Sequence, residues 1–432
     1  MRIQTLRIEN FKGIKSREFS FETQFSVLIG ENATGKTSVL DALAVALGSF
    51  MLGIDGVGSR GIQPSEIRIV DVDGQPRPQK PVVIEATGKL DGERVGPWRR
   101  EIVSRNTTSS GARPISRLAQ AKLIQSRKPA EEQQGRQVFP LIVYHGTGRL
   151  WAEHEKISYQ RQIEGVERGY ANALTAKSSS KEFLAWFKTQ EDSLKKFENP
   201  LETAHFRAFK RTVLAMLPSE RWHDIEWDYK NDALVGVFID AEGQAHRLSY
   251  GQLSDGYRNL VGMVADIAYR CVQLNPHLGE KAVEDTPGVV LIDELDLHLH
   301  PNWQRTVVGD LKKAFPNLQF IATTHSPFIV QSLGDGELIN LDREEPEPVP
   351  DQLPLNAIVT DVMGVENIRS DNFEERVKSA REKFQRIRSD NGELTLDDYA
   401  EISRAASDVL KSETNDPEYR AYLEESDKGD AP

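Results

Sequence analysis

The chain has 432 residues, 38% hydrophobic and 28% charged, the composition expected of a soluble globular protein of about two or three domains. Its formal net charge of −12 sits at one end, because residues 341–432 hold 24 acidic against 12 basic side chains and the first 340 residues balance. No apolar run approaches the ~20 residues of a membrane span, and the single cysteine, Cys271, excludes an intrachain disulfide or a cysteine-rich zinc framework. Residues 1–13 lack the apolar core of a secretory leader. These absences point to the cytoplasm.

Ile3, Leu6 and Ile8 alternate with Arg2, Gln4 and Arg7, which predicts an edge strand over residues 1–8. A turn at Asn10-Phe11-Lys12-Gly13 leads to a second strand over 18–21, and two strands arriving this way suggest a mixed sheet. The run FSVLI, residues 25–29, reads as a buried strand. Next come Gly30, Glu31, Asn32, Ala33, Thr34, Gly35, Lys36 and Thr37, which fit G-x-x-x-x-G-K-[ST] without a mismatch. After Ser38, a helical pattern places Val39, Leu40, Leu43 and Leu47 on one face. Strand, glycine loop and helix together are the context a phosphate-binding loop needs. The glycines let successive N–H groups converge on one concavity, and the helix N-terminus adds its dipole there. Lys36 supplies a charge for β- and γ-phosphates, and Thr37 offers a hydroxyl to Mg²⁺. An ordinary glycine turn would not account for the fit on both sides.

A further strand is predicted over 81–90. Residues 94–128 then carry nine Lys and Arg against one acid, Glu101, with seven Ser and Thr interleaved. This stretch reads as a basic, loop-rich segment: a candidate contact for a DNA backbone, or equally a solvated surface loop. The run VFPLIVY (138–144) is strand-like and leads into His145-Gly146-Thr147-Gly148-Arg149. Residues 151–217 read as mostly helix, with Phe183, Trp186, Phe187, Leu194, Phe197, Leu201, Phe206, Phe209, Val213 and Leu217 recurring at helical spacing before Pro218. That stripe fits packing rather than a cofactor box, and no heptad run predicts a protruding coiled coil. Two strands around Lys230-Asn231-Asp232 are expected over 222–239, and no fixed-period repeat is present.

A helix opens at Leu253-Ser254-Asp255-Gly256, with Ser254 as N-cap. The run GVVLIDE (288–294) is a buried strand with two carboxylates at its C-terminal end, where open α/β sheets bind ligands. Asp293 suits a magnesium-bound water, and Glu294 suits removal of a proton from an attacking water. His298 and His300 resemble a zinc pair, but no third ligand lies nearby in the sequence. The run QFIATT (319–324) is the next strand and ends at His325-Ser326-Pro327, within reach of the same crevice.

The order of these motifs, with IENFKG, PLIVYHGTGRLW, LSDGYRNLVGMVADIA, DELDLHLHPNWQ, FIATTHSP and DVMGVENIRS, resembles the ABC-type ATPases of the RecF and structural-maintenance-of-chromosomes (SMC) kind. Within them it looks like the AAA-type ATPase subunit of Septu and retron anti-phage systems. The resemblance covers most of residues 1–370. It implies an α/β ABC-ATPase head with a mixed β-sheet core, a helical insertion and a C-terminal helical tail. The divisions would be 1–93 (phosphate-loop lobe), 94–220 (basic loop, core strand and insertion), 221–345 (second ATPase lobe) and 346–432 (acidic tail). By the same resemblance, residues Gly30 to Thr37, with Ser38, hold ATP. Asp293, with Thr37, holds Mg²⁺, Glu294 is the base, and His325 faces the γ-phosphate. Ser254 and Gly256 complete the site of an opposite protomer, residues 296–300 communicate across that dimer, and Lys12 touches nucleotide. Two departures stand: the signature reads LSDGY, not LSGGQ, and the Q-loop glutamine has no assigned position, since Gln137 precedes the strand at 138 and the next is Gln160.

The implied function is a dimeric, ATP-driven switch, as a homodimer or higher homo-oligomer, acting in defence with a separate HNH-type nuclease subunit and without a membrane. A RecF-like repair ATPase shares the same engine. A self-contained nuclease is disfavoured, because Asp71-Val72-Asp73 is the only loop-like D-x-D outside the ATPase motifs and has no glutamate partner. In the tail, Phe373, Val377, Phe384 and Ile387, then Leu396, Tyr399, Ile402, Val409 and Leu410, predict two amphipathic helices. The second is the candidate partner surface.

Overall fold

Strands that largely alternate between buried and exposed residues build one sheet here, and strands buried at almost every position build another. The computed structural model describes residues 1–104, 106–129, 135–148, 165–175, 181–196, 200–217, 221–343 and 348–365, with 375 and 378. The chain divides into two units, Met1–Ile358 and Val359–Pro432. In the first unit β1 (Arg2–Phe11), β2 (Ile14–Ser20) and β3 (Phe25–Ile29) lead into helix α1 (Lys36–Met51). A hairpin of β4 (Ile69–Val72) and β5 (Gln75–Pro78) follows, then β6 (Val82–Leu90), β7 (Glu93–Ile102), α2 (Arg113–Ser126) and β8 (Leu141–His145). After α3 (Lys181–Lys196) and α4 (Pro200–Ala215) come β9 (Trp222–Asp228), β10 (Ala233–Ile239) and β11 (Ala245–Ser249). The remainder is α5 (Asp255–Leu274), α6 (Ala282–Asp285), β12 (Gly288–Ile292), α7 (Pro301–Gln304), α8 (Val307–Ala314), β13 (Leu318–Thr323), α9 (Pro327–Gln331) and β14 (Leu338–Asn340).

Among the described residues the first sheet has the order β2-β1-β6-β7 and is antiparallel throughout. The second has the order β14-β3-β13-β12-β8 and is wholly parallel. β3, β8, β12 and β13 are buried at every position, as strands covered on both faces must be. A third sheet, β11-β10-β9, is antiparallel. The mixture of strand directions is thus divided between separate sheets. The expectation of an edge strand at the N-terminus is corrected: β1 pairs on both sides, Leu6 facing Phe19 of β2 and Ala86 of β6.

α1 contacts strands of both large sheets, which explains a second difference from the pattern. A single apolar face was expected, yet every residue from Val39 to Met51 is buried. Ala42, Ala44, Ala46 and Gly48 keep the helix slim enough for this. Trp98 of β7 donates its indole N–H to the Ala46 carbonyl at 2.9 Å, and Arg60 of the following loop approaches Gly48. Leu43 and Leu47 are fully enclosed, so each of their side chains contributes roughly 1.5–3 kcal/mol of burial.

The segment 94–128 is ordered as β7 and α2, not as a loop. Folding also neutralises much of its charge. Arg100 is buried in the body, Arg99 pairs with Glu101, Lys122 with Asp91, and Arg127 with Asp55 and Glu167. Arg113 and Arg117 remain as exposed cations on α2, and Arg105 lies outside the described residues. Among the described cations Arg99, Lys122 and Arg127 are thus ion-paired and Arg100 is buried, while Arg94 and Lys128 stay exposed, as Arg113 and Arg117 do.

Among the described residues no helix is long and apolar enough to cross a membrane. Residues 149–164, Phe197 and Pro218 lie outside the described residues, and so do all nine apolar positions of the two tail helices.

Candidate nucleotide-binding site

The phosphate loop joins the C-terminal end of β3 to α1. Gly30 has φ 148, Ala33 φ 71 and Gly35 φ 102, and Gly35 takes the N-cap position of α1. A Cβ on Gly30 would lie 2.8 Å from Thr34 Oγ1, so backbone and space both require glycine there. Thr34 Oγ1 donates to the Glu31 carbonyl at 2.9 Å. Lys36 Nζ arches back to donate to the carbonyls of Gly30 (2.7 Å) and Glu31 (2.9 Å). Burial lowers the Lys36 pKa, opposed by the charges of Asp342, Asp293 and Glu294, in that order. Glu31, Asn32, Ala33 and Thr37 are exposed, and Ser38 is half-buried.

β12 delivers the two carboxylates between β8 and β13. Asp293, 4% exposed, anchors its N–H on the His145 carbonyl at 2.8 Å. Its carboxylate accepts from Thr37 Oγ1 at 3.0 and 3.2 Å and from Thr323 Oγ1 at 2.6 Å. Glu294 is half-buried with φ 51, a left-handed value that a non-glycine residue holds at a cost of roughly 1–3 kcal/mol. Its N–H donates to the same Thr323 hydroxyl at 2.8 Å. One threonine therefore orients both acids. Asp296 accepts from Thr324 Oγ1 at 2.6 Å and from the His325 N–H at 3.2 Å. Exposed His325 thus follows β13, the strand next to β12, with its N–H held by Asp296.

The signature residues stand at the start of α5. Ser254 is at the N-cap of α5, exposed, and makes no side-chain cap bond. A Cβ on Gly256 would lie 2.3 Å from the His298 carbonyl, so this glycine answers a close approach. Asn259 Nδ2 donates to the Leu297 carbonyl at 2.6 Å, and Tyr257 stacks edge-on against Trp303 at 4.5 Å. The start of α5 is thereby riveted to the loop 295–300. His300 is explained locally, since its Nδ1 accepts from Asn302 N–H at 3.3 Å and caps α7. Among the described residues no group of three or more His, Cys, Asp or Glu is placed to hold a metal ion.

Lys12, at φ 48, pairs with Asp41 and lies 3.7 Å from Glu66. Arg60 bridges the same two acids at 2.8 and 2.7 Å. Lys12 is thus tied to α1 one turn beyond Thr37, by partners too distant in sequence for spacing to expose. The Thr323 hydroxyl was legible only as a strand residue. Asp342, whose carboxylate accepts from Glu31 N–H at 2.7 Å, carried no signal at all. After β8 the described residues run His145, Gly146, Thr147 and Gly148, and Gln160 lies outside the described residues.

Thr37 and Asp293 present a hydroxyl and a carboxylate to one another beside the phosphate loop, a hard-oxygen pair that fits Mg²⁺. Residues 25–331 match the family described as "AAA domain, putative AbiEii toxin, Type IV TA system". The chain is 25% identical over 384 residues to Retron Vc95 probable ATPase from Vibrio cholerae, covering 77% of this chain and 72% of that one. It is 27% identical over 352 residues to Septu protein PtuA from Bacillus mycoides, covering 80% of this chain and 41% of that protein. A solved SMC head bound to the C-winged helix domain of ScpA is 17% identical, with a TM-score of 0.45, covering 79% of this chain and 94% of that one. The family match spans well over half of the chain, which belongs to this AAA-domain family and is an ATPase.

Proposed function

We propose that this ATPase works as a dimeric, nucleotide-dependent switch in anti-phage defence and controls a separate nuclease subunit. The observation that carries the reading is the convergence of Lys36, Thr37, Asp293 and Glu294 at one sheet end, with the Thr37 hydroxyl 3.0 Å from the Asp293 carboxylate. Residues 30–38 cradle the phosphates of ATP through backbone N–H groups, and Lys36 neutralises them. Thr37 and Asp293 would hold Mg²⁺, which supplies charge screening of the phosphates. Glu294 accepts the proton of the attacking water, and His325 is poised for the γ-phosphate. Lys12 steadies the first turns of α1 on the nucleotide side.

The dimer is supported by the exposure of Ser254, whose hydroxyl is not consumed by its own helix. Attachment of α5 to the loop 295–300 gives each chain one block that joins its own acid strand to the surface offered to a partner. ATP would then favour the closed dimer by binding it better than the open one. Relatives named for retron and Septu systems favour defence over RecF-like repair. A built-in nuclease finds no support at Asp71 and Asp73. Asp71 accepts from Gly74 N–H at 2.8 Å, and Asp73 and Gly74 have φ 56 and 75, so the D-x-D makes the β4–β5 hairpin turn.

The deciding experiment mixes two inactive variants. Ser254→Arg leaves ATP binding by the single chain in place and removes hydrolysis, and Lys36→Ala lacks binding. An equimolar mixture regains roughly a quarter of wild-type turnover if subunits exchange at random, because half the dimers are mixed and each of these has one intact composite site. No regain at any ratio sinks the reciprocal dimer.

Thr323→Val keeps the shape of the strand end but removes the hydroxyl shared by Asp293 and Glu294. Its kcat is expected to fall about tenfold to a hundredfold with little change in KM, since the lost bond orients the acids rather than substrate. A steady-state phosphate-release assay reads this directly.

A further inference from the structure

Asp342 belongs to none of the recognised motifs, yet it reaches the phosphate loop. β14 pairs parallel to β3 with Asn340 opposite Ile29, and Leu341 N–H continues the ladder to the Ile29 carbonyl at 2.9 Å. This lays Asp342 alongside Gly30 and Glu31. Its own N–H is fixed by the Asn340 side chain at 3.0 Å. Oδ2 accepts from Glu31 N–H at 2.7 Å, and the same oxygen lies 3.2 Å from the point where a Gly30 Cβ would be. Asp342 is also the foremost carboxylate opposing the burial of Lys36, ahead of both acids of β12. The side chain remains exposed to solvent.

A concavity built to attract phosphate therefore carries its own anion. We propose that Asp342 is a built-in counter-anion of the phosphate loop, a positioning residue that holds the first turn of the loop through Glu31 N–H and weakens its grip on ATP by charge repulsion. The inference rests on the ATP-binding reading above. An incoming triphosphate brings several negative charges toward Lys36 and must share that cation with Asp342. The loop alone then binds ATP less tightly than its donors permit, which leaves more of the occupancy to be decided by contacts made elsewhere, such as a closed dimer.

Titration of fluorescent ATP and ADP analogues into the full chain tests this. Asp342→Asn keeps an acceptor for Glu31 N–H and removes the charge. It should tighten ATP about threefold to tenfold and ADP less, because ADP carries one phosphate fewer. The gain should shrink as salt rises from about 0.05 M to about 0.5 M, since the charge is exposed. Asp342→Ala also drops the bond to Glu31 and should gain less than Asn. Asp342→Ser, with a short acceptor and no charge, provides an independent variant if Asn fails to fold, as judged by thermal melting. ATP affinity unchanged or weakened in folded Asn and Ser variants overturns the counter-anion while leaving the ATP site standing. Absence of ATP binding by the folded wild-type chain would remove both readings together.

Discussion

Glu294→Gln is expected to bind ATP about as tightly as the wild type and to hydrolyse it about 10²- to 10⁴-fold more slowly, the usual contribution of a positioned general base. The substitution suits its purpose because the position of Glu294 is set by its backbone. The residue sits at φ 51 with its N–H locked on the Thr323 hydroxyl, so an isosteric amide inherits the same place. What disappears is the capacity to accept a proton. Single-turnover hydrolysis alongside a binding titration separates the two effects, and the variant should also accumulate as the closed dimer with ATP. Wild-type turnover by this variant would remove Glu294 from the role of base and direct attention to His325, which follows β13.

Lys36→Ala should weaken ATP binding by about 10²-fold or more, the loss of several charge-assisted hydrogen bonds at once. Lys36 is the only cation in the loop, and three carboxylates, Asp342, Asp293 and Glu294, act on it. Removing it leaves a site with acids alone facing a polyanion. The helix itself should survive, because α1 is held by Val39 to Met51 between the sheets and not by its first residue. Calorimetric titration with Mg-ATP, with circular dichroism as a fold control, decides the matter. Affinity retained within tenfold would show that the phosphates lie elsewhere.

Local chemistry was readable and pairing was not. The loop at 30–37, β12 and β13 announce themselves because glycine spacing and unbroken apolar runs are properties of neighbouring residues. The acid pair and His325 were expected in one crevice, and β12 and β13 do lie side by side. The separation of β1 and β2 from β3 into different sheets depends on β6 and β7, more than 70 residues downstream, and no pattern within β1 specifies those partners. α1 looked amphipathic because its alanines and its glycine were counted as neutral, whereas two sheets enclose them. The Ser and Thr of the basic segment suggest a loop, while Asp55, Asp91 and Glu167, which pair with Lys122 and Arg127, come from elsewhere in the chain. Asp342 counts among the acids of 341–432 that set the charge balance, yet the β14 ladder brings its carboxylate to the backbone N–H of Glu31.

The enclosure of α1 also bears on how the molecule comes apart. The amides of residues 39–51 cannot meet water unless two sheets part, so this stretch of α1 is expected to exchange hydrogen among the last of the backbone. Opening is expected earlier at edges such as β11, exposed at nearly every residue. The phosphate loop is spliced directly onto the helix that resists longest. Damage or heating at the periphery should therefore erode the surfaces that meet other molecules before it erodes the capacity to capture a nucleotide, and capture would end only with collapse of the whole first unit.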